Sequence, residues 1–293
     1  MPGEKAICKG GRTMKEKSQK SFKKHMILVY LVLTLYTLYT LYPIVLMILT
    51  SLKNNLEIMK NPTGIPQQAT LDGYIQLFTK ESFGLYFLNT IFVTVVSSVI
   101  LLVITLMLAY VLTRYKSRLS NFLYMFFLVG MMLPLRLGLL SLNDLLYRMH
   151  LIDSLWGLIM IYVAMNIPFT MFLLSGYMEQ VPLALEETAF IDGAGTWMVL
   201  WKIVVPLIRP AIATTIVYNF VPIWSDVFFP LIFVNSKEKR TLMQAISLFF
   251  GQYSTNWNLV FSALTLACLP VIIVYIFCAK HLIRGMMAGA LKG

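Results

Sequence analysis

Leu85-Tyr-Phe-Leu-Asn-Thr-Ile-Phe-Val-Thr-Val-Val-Ser-Ser-Val-Ile-Leu-Leu-Val-Ile-Thr-Leu-Met-Leu-Ala-Tyr-Val-Leu112 runs for 28 residues without a charged side chain. A bilayer core about 30 Å thick is crossed by roughly 20 apolar residues in a helix. Inside lipid, a helix lets one segment satisfy all of its own backbone groups. The stretch therefore predicts a transmembrane helix. Working outward, five more segments reach that length: Met26–Thr50, Phe122–Leu140, Trp156–Leu174, Ala211–Val234 and Leu259–Ala279. The first is too long for the apolar region of a cleavable signal, and no small-residue cleavage site follows it before Lys53. The expected fold is an all-α polytopic membrane protein with six transmembrane helices over residues 26–293, preceded by a basic tail at 1–25.

Composition agrees with that assignment. Hydrophobic residues make up 58% of the 293 residues and charged residues 13%, with a mean hydropathy of +0.75. Soluble domains run at roughly 45–50% apolar and about 25% charged. The excess has to face lipid, which excludes a soluble enzyme, a disordered hub and a disulfide scaffold. Cys8, Cys268 and Cys278 have no metal-ligand spacing, and the last two read as packing thiols.

The net charge of +11 matters through its distribution. Lys5, Lys9, Arg12, Lys15, Lys17, Lys20, Lys23 and Lys24 all precede Met26. With the tail in the cytoplasm, sixteen of the 24 cations fall inside and seven outside, with Arg136 in a crossing. That bias places both termini in the cytoplasm. No basic face continues elsewhere, so nucleic acid is not an expected partner.

One inside stretch is built differently from the other loops. It reads Val181-Pro-Leu-Ala-Leu-Glu-Glu-Thr-Ala-Phe-Ile-Asp-Gly-Ala-Gly-Thr-Trp-Met-Val-Leu-Trp-Lys-Ile-Val-Val-Pro-Leu-Ile-Arg-Pro210. Pro182 suits the first position of a helix, and Glu186 and Glu187 suit the positive end of its dipole. Asp192-Gly193 is a turn signal. Thr196 is placed to cap a second helix that carries Trp197, Leu200 and Trp201 towards the interface. Helical spacing groups Leu183, Glu187, Phe190 and Ile191 on one face. A helix resting on anionic lipid would carry Lys and Arg. This one carries acids, which favours a protein partner.

Glu187-Thr-Ala-x-x-Asp192-Gly193-Ala194, then Ile203-x-x-Pro206 and Arg209-Pro210, resembles the EAA loop of permease subunits of ABC importers. Thr188 departs from the usual Ala and is small enough to fit. Leu173-Leu-Ser-Gly-Tyr177, Trp224-Ser-Asp-Val-Phe-Phe-Pro-Leu231 and Arg284-Gly-Met-Met-Ala-Gly-Ala-Leu-Lys-Gly293 extend the resemblance to the carbohydrate branch, in particular the maltose-type second permease. Only the basic tail falls outside it.

The resemblance implies a type I importer permease fold with a coupling loop at about 178–210. It implies pairing with a second related permease chain and docking of two ATPase subunits on the cytoplasmic loops. An extracytoplasmic solute-binding protein would deliver the sugar. The coupling helix would present Leu183, Glu186, Glu187, Ala189, Phe190, Ile191, Asp192 and Gly193 to an ATPase subunit. ATP and magnesium would sit on those subunits; this chain has no G-x-x-x-x-G-K-[ST] and is expected to carry no cofactor. His25, His150 and His281 are scattered, and no metal or nucleophile constellation predicts catalysis.

Ionisable groups within a crossing usually face a cavity or a partner. Asp226 lies in Trp224-Ser-Asp, where a packing role competes with substrate contact. Arg136 can pair with Asp226, snorkel from the outer end of the third crossing, or offer a fork of donors to an anionic cargo such as an alginate fragment. Asn89, Asn166 and Asn219 are candidates to line the pathway. Tyr162, Phe169, Phe220 and Trp224 are candidates to stack on sugar faces or to be ordinary packing. Pro134, Pro168, Pro222 and Pro270 predict bent helices. The competing readings are an ABC permease for another cargo, such as glycerol phosphates or peptides, and an ATP-independent channel or secondary transporter. The latter predicts inverted repeats and intramembrane carboxylate relays; the sequence shows neither.

Overall fold

A computed structural model describes residues 4–133, 138–250 and 256–290, with side chains from residue 26 to residue 280 of those stretches. Among the described residues every regular element is helical. The chain runs α1 (Glu4–Ser51), α2 (Asn55–Lys60), α3 (Asp72–Thr79), α4 (Phe83–Arg114), α5 (Arg118–Met132), α6 (Leu139–Arg148) and α7 (Leu155–Met178). It continues through α8 (Leu183–Ile191), α9 (Thr196–Val199), a π-helical segment Leu200–Val204, and α10 (Val205–Leu207). The remainder is α11 (Arg209–Ser225), α12 (Phe228–Phe233), a 3-10 turn Lys237–Lys239, α13 (Leu242–Leu248) and α14 (Trp257–Ala290).

Among the described residues, four single helical stretches are long and apolar enough to cross a membrane: Met26–Ser51, Phe83–Arg114, Leu155–Met178 and Trp257–Lys280. Two of the six expected crossings are not single helices. In place of Phe122–Leu140, α5 stops at Met132 after 15 residues, a rise of about 22 Å at 1.5 Å per residue. Leu133 then turns extended at φ −77°, ψ 125°, as the residue before a proline prefers. In place of Ala211–Val234, α11 ends at Ser225 and the chain breaks at Asp226. The carboxylate there accepts hydrogen bonds from the amides of Phe228 (3.2 Å) and Phe229 (3.2 Å), starting α12. Before it, Thr196–Leu207 and Arg209–Ser225 meet at 80°.

Helices α4 and α7 pack along their length, and α11 lies against both and against α14. The α4 seam is lined by small side chains: Thr90, Thr94, Ser97 and Thr105 are all buried. Without a hydrophobic drive between helices in lipid, such residues let backbones approach closely. Asn219 ties α11 to α7 by donating from Nδ2 to Thr170 Oγ1 at 3.1 Å. Over residues 26–45, α1 is exposed all round. It docks at its last turn, where Asn258 Nδ2 of α14 donates to Ser51 O (2.9 Å) and Lys53 O (2.7 Å).

Candidate functional site

The loop after α7 folds from local rules. Pro182 takes an extended conformation (φ −61°, ψ 127°) and is the N-cap of α8, one position earlier than its chemistry predicts. The helix ends at Asp192. Gly193 follows at φ 84°, its N–H bonded to Phe190 O (3.0 Å), and Ala194 N–H reaches back to Ala189 O at 2.9 Å. This is the paired-bond helix stop that needs a left-handed residue, and it explains the Asp-Gly spacing. Thr188 donates its hydroxyl to Ala184 O (2.8 Å), so the departure from Ala is satisfied within the helix. The second helix starts at Thr196 but is capped by Gly195 with no side-chain bond. Thr196 therefore does not cap it.

Glu186 does not join the exposed face with the other expected coupling residues. It is 2% exposed and lies under α8. Arg114, the last residue of α4, donates from Nε to Glu186 Oε1 (2.8 Å) and brings Nη2 to 2.6 Å from the same oxygen. The Tyr110 hydroxyl donates to Glu186 Oε2 at 2.9 Å. Nη2 also donates to Met178 O (2.9 Å), at the end of α7, and to Val181 O (3.1 Å), in the turn before α8. The reason for the correction is geometric: adjacent residues on a helix lie about 100° apart, so with Glu187 outside, Glu186 faces inward. Tyr110 and Arg114 escaped the sequence reading because they lie 76 and 72 residues away.

The rest of the expected face is open. Leu183 (55%), Phe190 (42%) and Ile191 (85%) are exposed together with Glu187. Asp192 and Gly193 are exposed, and Ala189 is half-buried at the edge of the core. Behind them lies an apolar cluster of Leu106, Met171, Met178, Val199 and Leu200. The adjoining π-helical turn carries the amide of Val205 back to Leu200 O, a distortion frequent at functional sites.

Most of the expected pathway residues are engaged in packing. Asn89 donates to Glu238 O (2.8 Å) and Arg240 O (3.0 Å), fastening the 237–240 turn to α4. Asn219 is buried in the α7–α11 contact. Trp224 is 2% exposed and donates Nε1–H to Ala267 O at 2.9 Å. Asp226 accepts the Tyr162 hydroxyl at 2.7 Å as well as the α12 amides. An asparagine, an indole or a carboxylate buried in lipid must find a partner, and here each finds one inside its own chain. Asn166 is half-buried and returns its amide to Tyr162 O. Nearby Phe169 is half-buried and stacks on exposed Tyr218 at 4.1 Å. Arg136 and Pro134 lie outside the described residues.

The opposite end is closed by Asp153, itself in the left-handed region at φ 53°. Its Oδ1 accepts the amides of Asn235 and Ser236, each at 2.9 Å, and Oδ2 accepts the Ser236 hydroxyl. Lys239 Nζ donates to Asp153 O at 2.6 Å. Burial raises the carboxyl's pKa, but the Ser236 and Asn235 donors with Lys239 outweigh it and bring the value down to about 2.

Residues 101–288 match the family described as binding-protein-dependent transport system inner membrane component. The multiple sugar-binding transport system permease protein MsmG of Streptococcus mutans serotype c is 32% identical over 252 residues, covering 84% of this chain and 89% of the relative. Among solved structures, a bacterial ABC transporter that imports the acidic polysaccharide alginate has a chain of the same fold. Its TM-score is 0.76 at 23% identity, covering 89% of this chain and 98% of that one. A second structure, a bacterial alginate ABC transporter with an alginate pentasaccharide-bound periplasmic protein, gives 0.62 at 18% identity, covering 91% and 96%. With the EAA-type loop folded as an exposed helix on a helical membrane bundle, the chain belongs to the binding-protein-dependent inner-membrane transport components and is the permease subunit of an ABC importer.

Proposed function

We propose that this permease forms half of the translocation pathway of an oligosaccharide importer. It pairs with a second related permease chain, accepts cargo from an extracytoplasmic binding protein, and is driven by two ATPase subunits that hold ATP and magnesium. The α8 end faces the cytoplasm together with both termini, a placement supported by the inside-weighted cations. Leu183, Glu187, Ala189, Phe190, Ile191, Asp192 and Gly193 contact an ATPase subunit, with Glu187 supplying the charged contact. Asn166, with Phe169 and Tyr218, forms this chain's wall of the pathway.

The observation that carries the reading is α8 itself. It is a nine-residue helix that keeps leucine, isoleucine, phenylalanine and glutamate in solvent at the end of the bundle. An exposed apolar face with a central charge is suited to a partner's groove. The test is ATP hydrolysis by the purified complex with its binding protein, using maltotriose as a neutral probe and an alginate trisaccharide as an acidic one. Hydrolysis should be stimulated by one of them, and Glu187→Ala should reduce assembly or stimulation. Uptake by this chain alone in vesicles without ATP would overturn the reading. An acidic cargo is the second branch, motivated by Arg136. There, Arg136→Gln should reduce stimulation by alginate trisaccharide and leave maltotriose unaffected.

A further inference from the structure

Glu186 is the only buried residue of α8. The helix is otherwise held by its two connecting turns, the half-buried Ala189 and contacts with α9 and the π-helical segment. Its carboxylate meets a guanidinium whose Nη2 also donates to Met178 O and Val181 O. One side chain, Arg114, therefore joins the end of α4, the end of α7 and the underside of α8. Both charges are nearly out of solvent, with side-chain exposures of 10% for Arg114 and 3% for Glu186.

A buried ion pair is a poor source of stability, because removing two charges from water offsets most of their attraction. What it supplies is direction. Two guanidinium nitrogens converge on one carboxylate oxygen and fix its position, where apolar contacts would let a short helix slide or rock. The Tyr110 hydroxyl takes the second oxygen from a point one turn earlier on α4, so the carboxylate is fixed at both ends. We propose that the Arg114–Glu186–Tyr110 node is the mechanical link of this permease: a push on α8 is delivered through Glu186 to α4 and α7 as one body. The inference rests on the reading of α8 as the ATPase contact. Arg114 and Glu186 are positioning residues in it, acting through α8 and touching neither ATP nor cargo.

The test compares Glu186→Gln, which keeps the shape and the Tyr110 bond, with the double variant Arg114→Met/Glu186→Met. Because an apolar pair can replace a buried ion pair without loss of stability, the double variant restores a merely structural role. Complexes carrying each variant are reconstituted with binding protein, and maltotriose and alginate trisaccharide uptake are assayed in parallel with ATP hydrolysis. The double variant should assemble because it leaves no buried charge, and Glu186→Gln should assemble at lower yield because its amide oxygen still accepts from Arg114. Sugar transported per ATP should fall about fivefold or more, the range of an ordinary coupling free energy.

A second measurement places spin labels at exposed Ala184 and Lys116 in a cysteine-free background. The native distance should be unchanged between the nucleotide-free and ATP–vanadate-trapped complexes, and it should broaden in both variants. Native transport per ATP in the double variant, or a native distance distribution in either, overturns the proposal. Glu187→Ala, run beside them, separates the two claims. If that variant assembles and hydrolyses normally, the ATPase contact is misassigned, whatever the node does.

Discussion

Each end of this bundle hangs on one carboxylate, and the two are used in opposite ways. At the α8 end, Glu186 is sealed under its helix and met by a guanidinium and a phenol. At the other end, Asp153 is partly open to solvent and gathers the backbone amides of a turn, Asn235 and Ser236, with Lys239 at its rim. The first arrangement connects three helices across 72 residues of sequence. The second closes one loop against another. Losing a partner is severe only where the remaining charge has no water to fall back on, so the pair at the α8 end is the more sensitive.

Arg114→Ala should give the largest effect. It strands a buried carboxylate, at a cost of about 3–5 kcal/mol, so the yield of assembled complex in detergent should collapse. Survival at native yield would mean that Glu186 is solvated and that the contrast between the ends is wrong. Next comes Gly193→Val. A β-branched residue at φ 84° is strained by about 1–3 kcal/mol. The turn after α8 should fray, detectable as faster protease cleavage around Asp192.

At the opposite end, Asp153→Asn should cost about 1 kcal/mol, since asparagine keeps the left-handed backbone but weakens bonds to two amides. The same clasp predicts a pH dependence. A carboxyl held at about 2, below its ordinary value near 3.9, contributes its stability fully above about pH 4 and loses it as pH falls towards 2. Protection of the Asn235 and Ser236 amides, taken relative to their intrinsic exchange at each pH, should therefore be high at pH 5 and fall on acidification, and the mutant should lack the transition. The smallest effect is expected from Asn219→Ala, about 0.6 kcal/mol, the usual worth of an interhelical hydrogen bond in a bilayer. It would be read from thermal unfolding of the purified complex.

Much of the fold was legible because lipid imposes simple arithmetic. The long apolar runs at Leu85–Leu112 and Trp156–Leu174 are helices with ends within a few residues of those expected, and Leu259–Ala279 lies inside α14, which runs on to Ala290. The breaks were harder. A hydropathy run passes through Leu133 and Asp226 with no marked drop, although the first helix stops at Met132 and the second at Ser225, where the Asp226 carboxylate starts the next one. In the site, α8 and its Asp192-Gly193 stop follow from local residue chemistry. Polar residues in the crossings did not resolve the same way. Asn89, Asn219, Trp224 and Asp226 look alike as pathway liners or packing groups until their partners at Glu238, Thr170, Ala267 and Tyr162 are known.

By itself the sequence determined that this chain lives in lipid, where its long unbroken helices run, and that one loop mixes acidic and apolar residues in a short helix with its own stop. Those properties depend on composition and on neighbours within a few residues. The tertiary structure decided which of two adjacent glutamates turns inward, and that Arg114 and Tyr110 receive it. Residues one position apart on a helix face differ by about 100°, and only the packing of α4 and α7 fixes which of those directions is the interior.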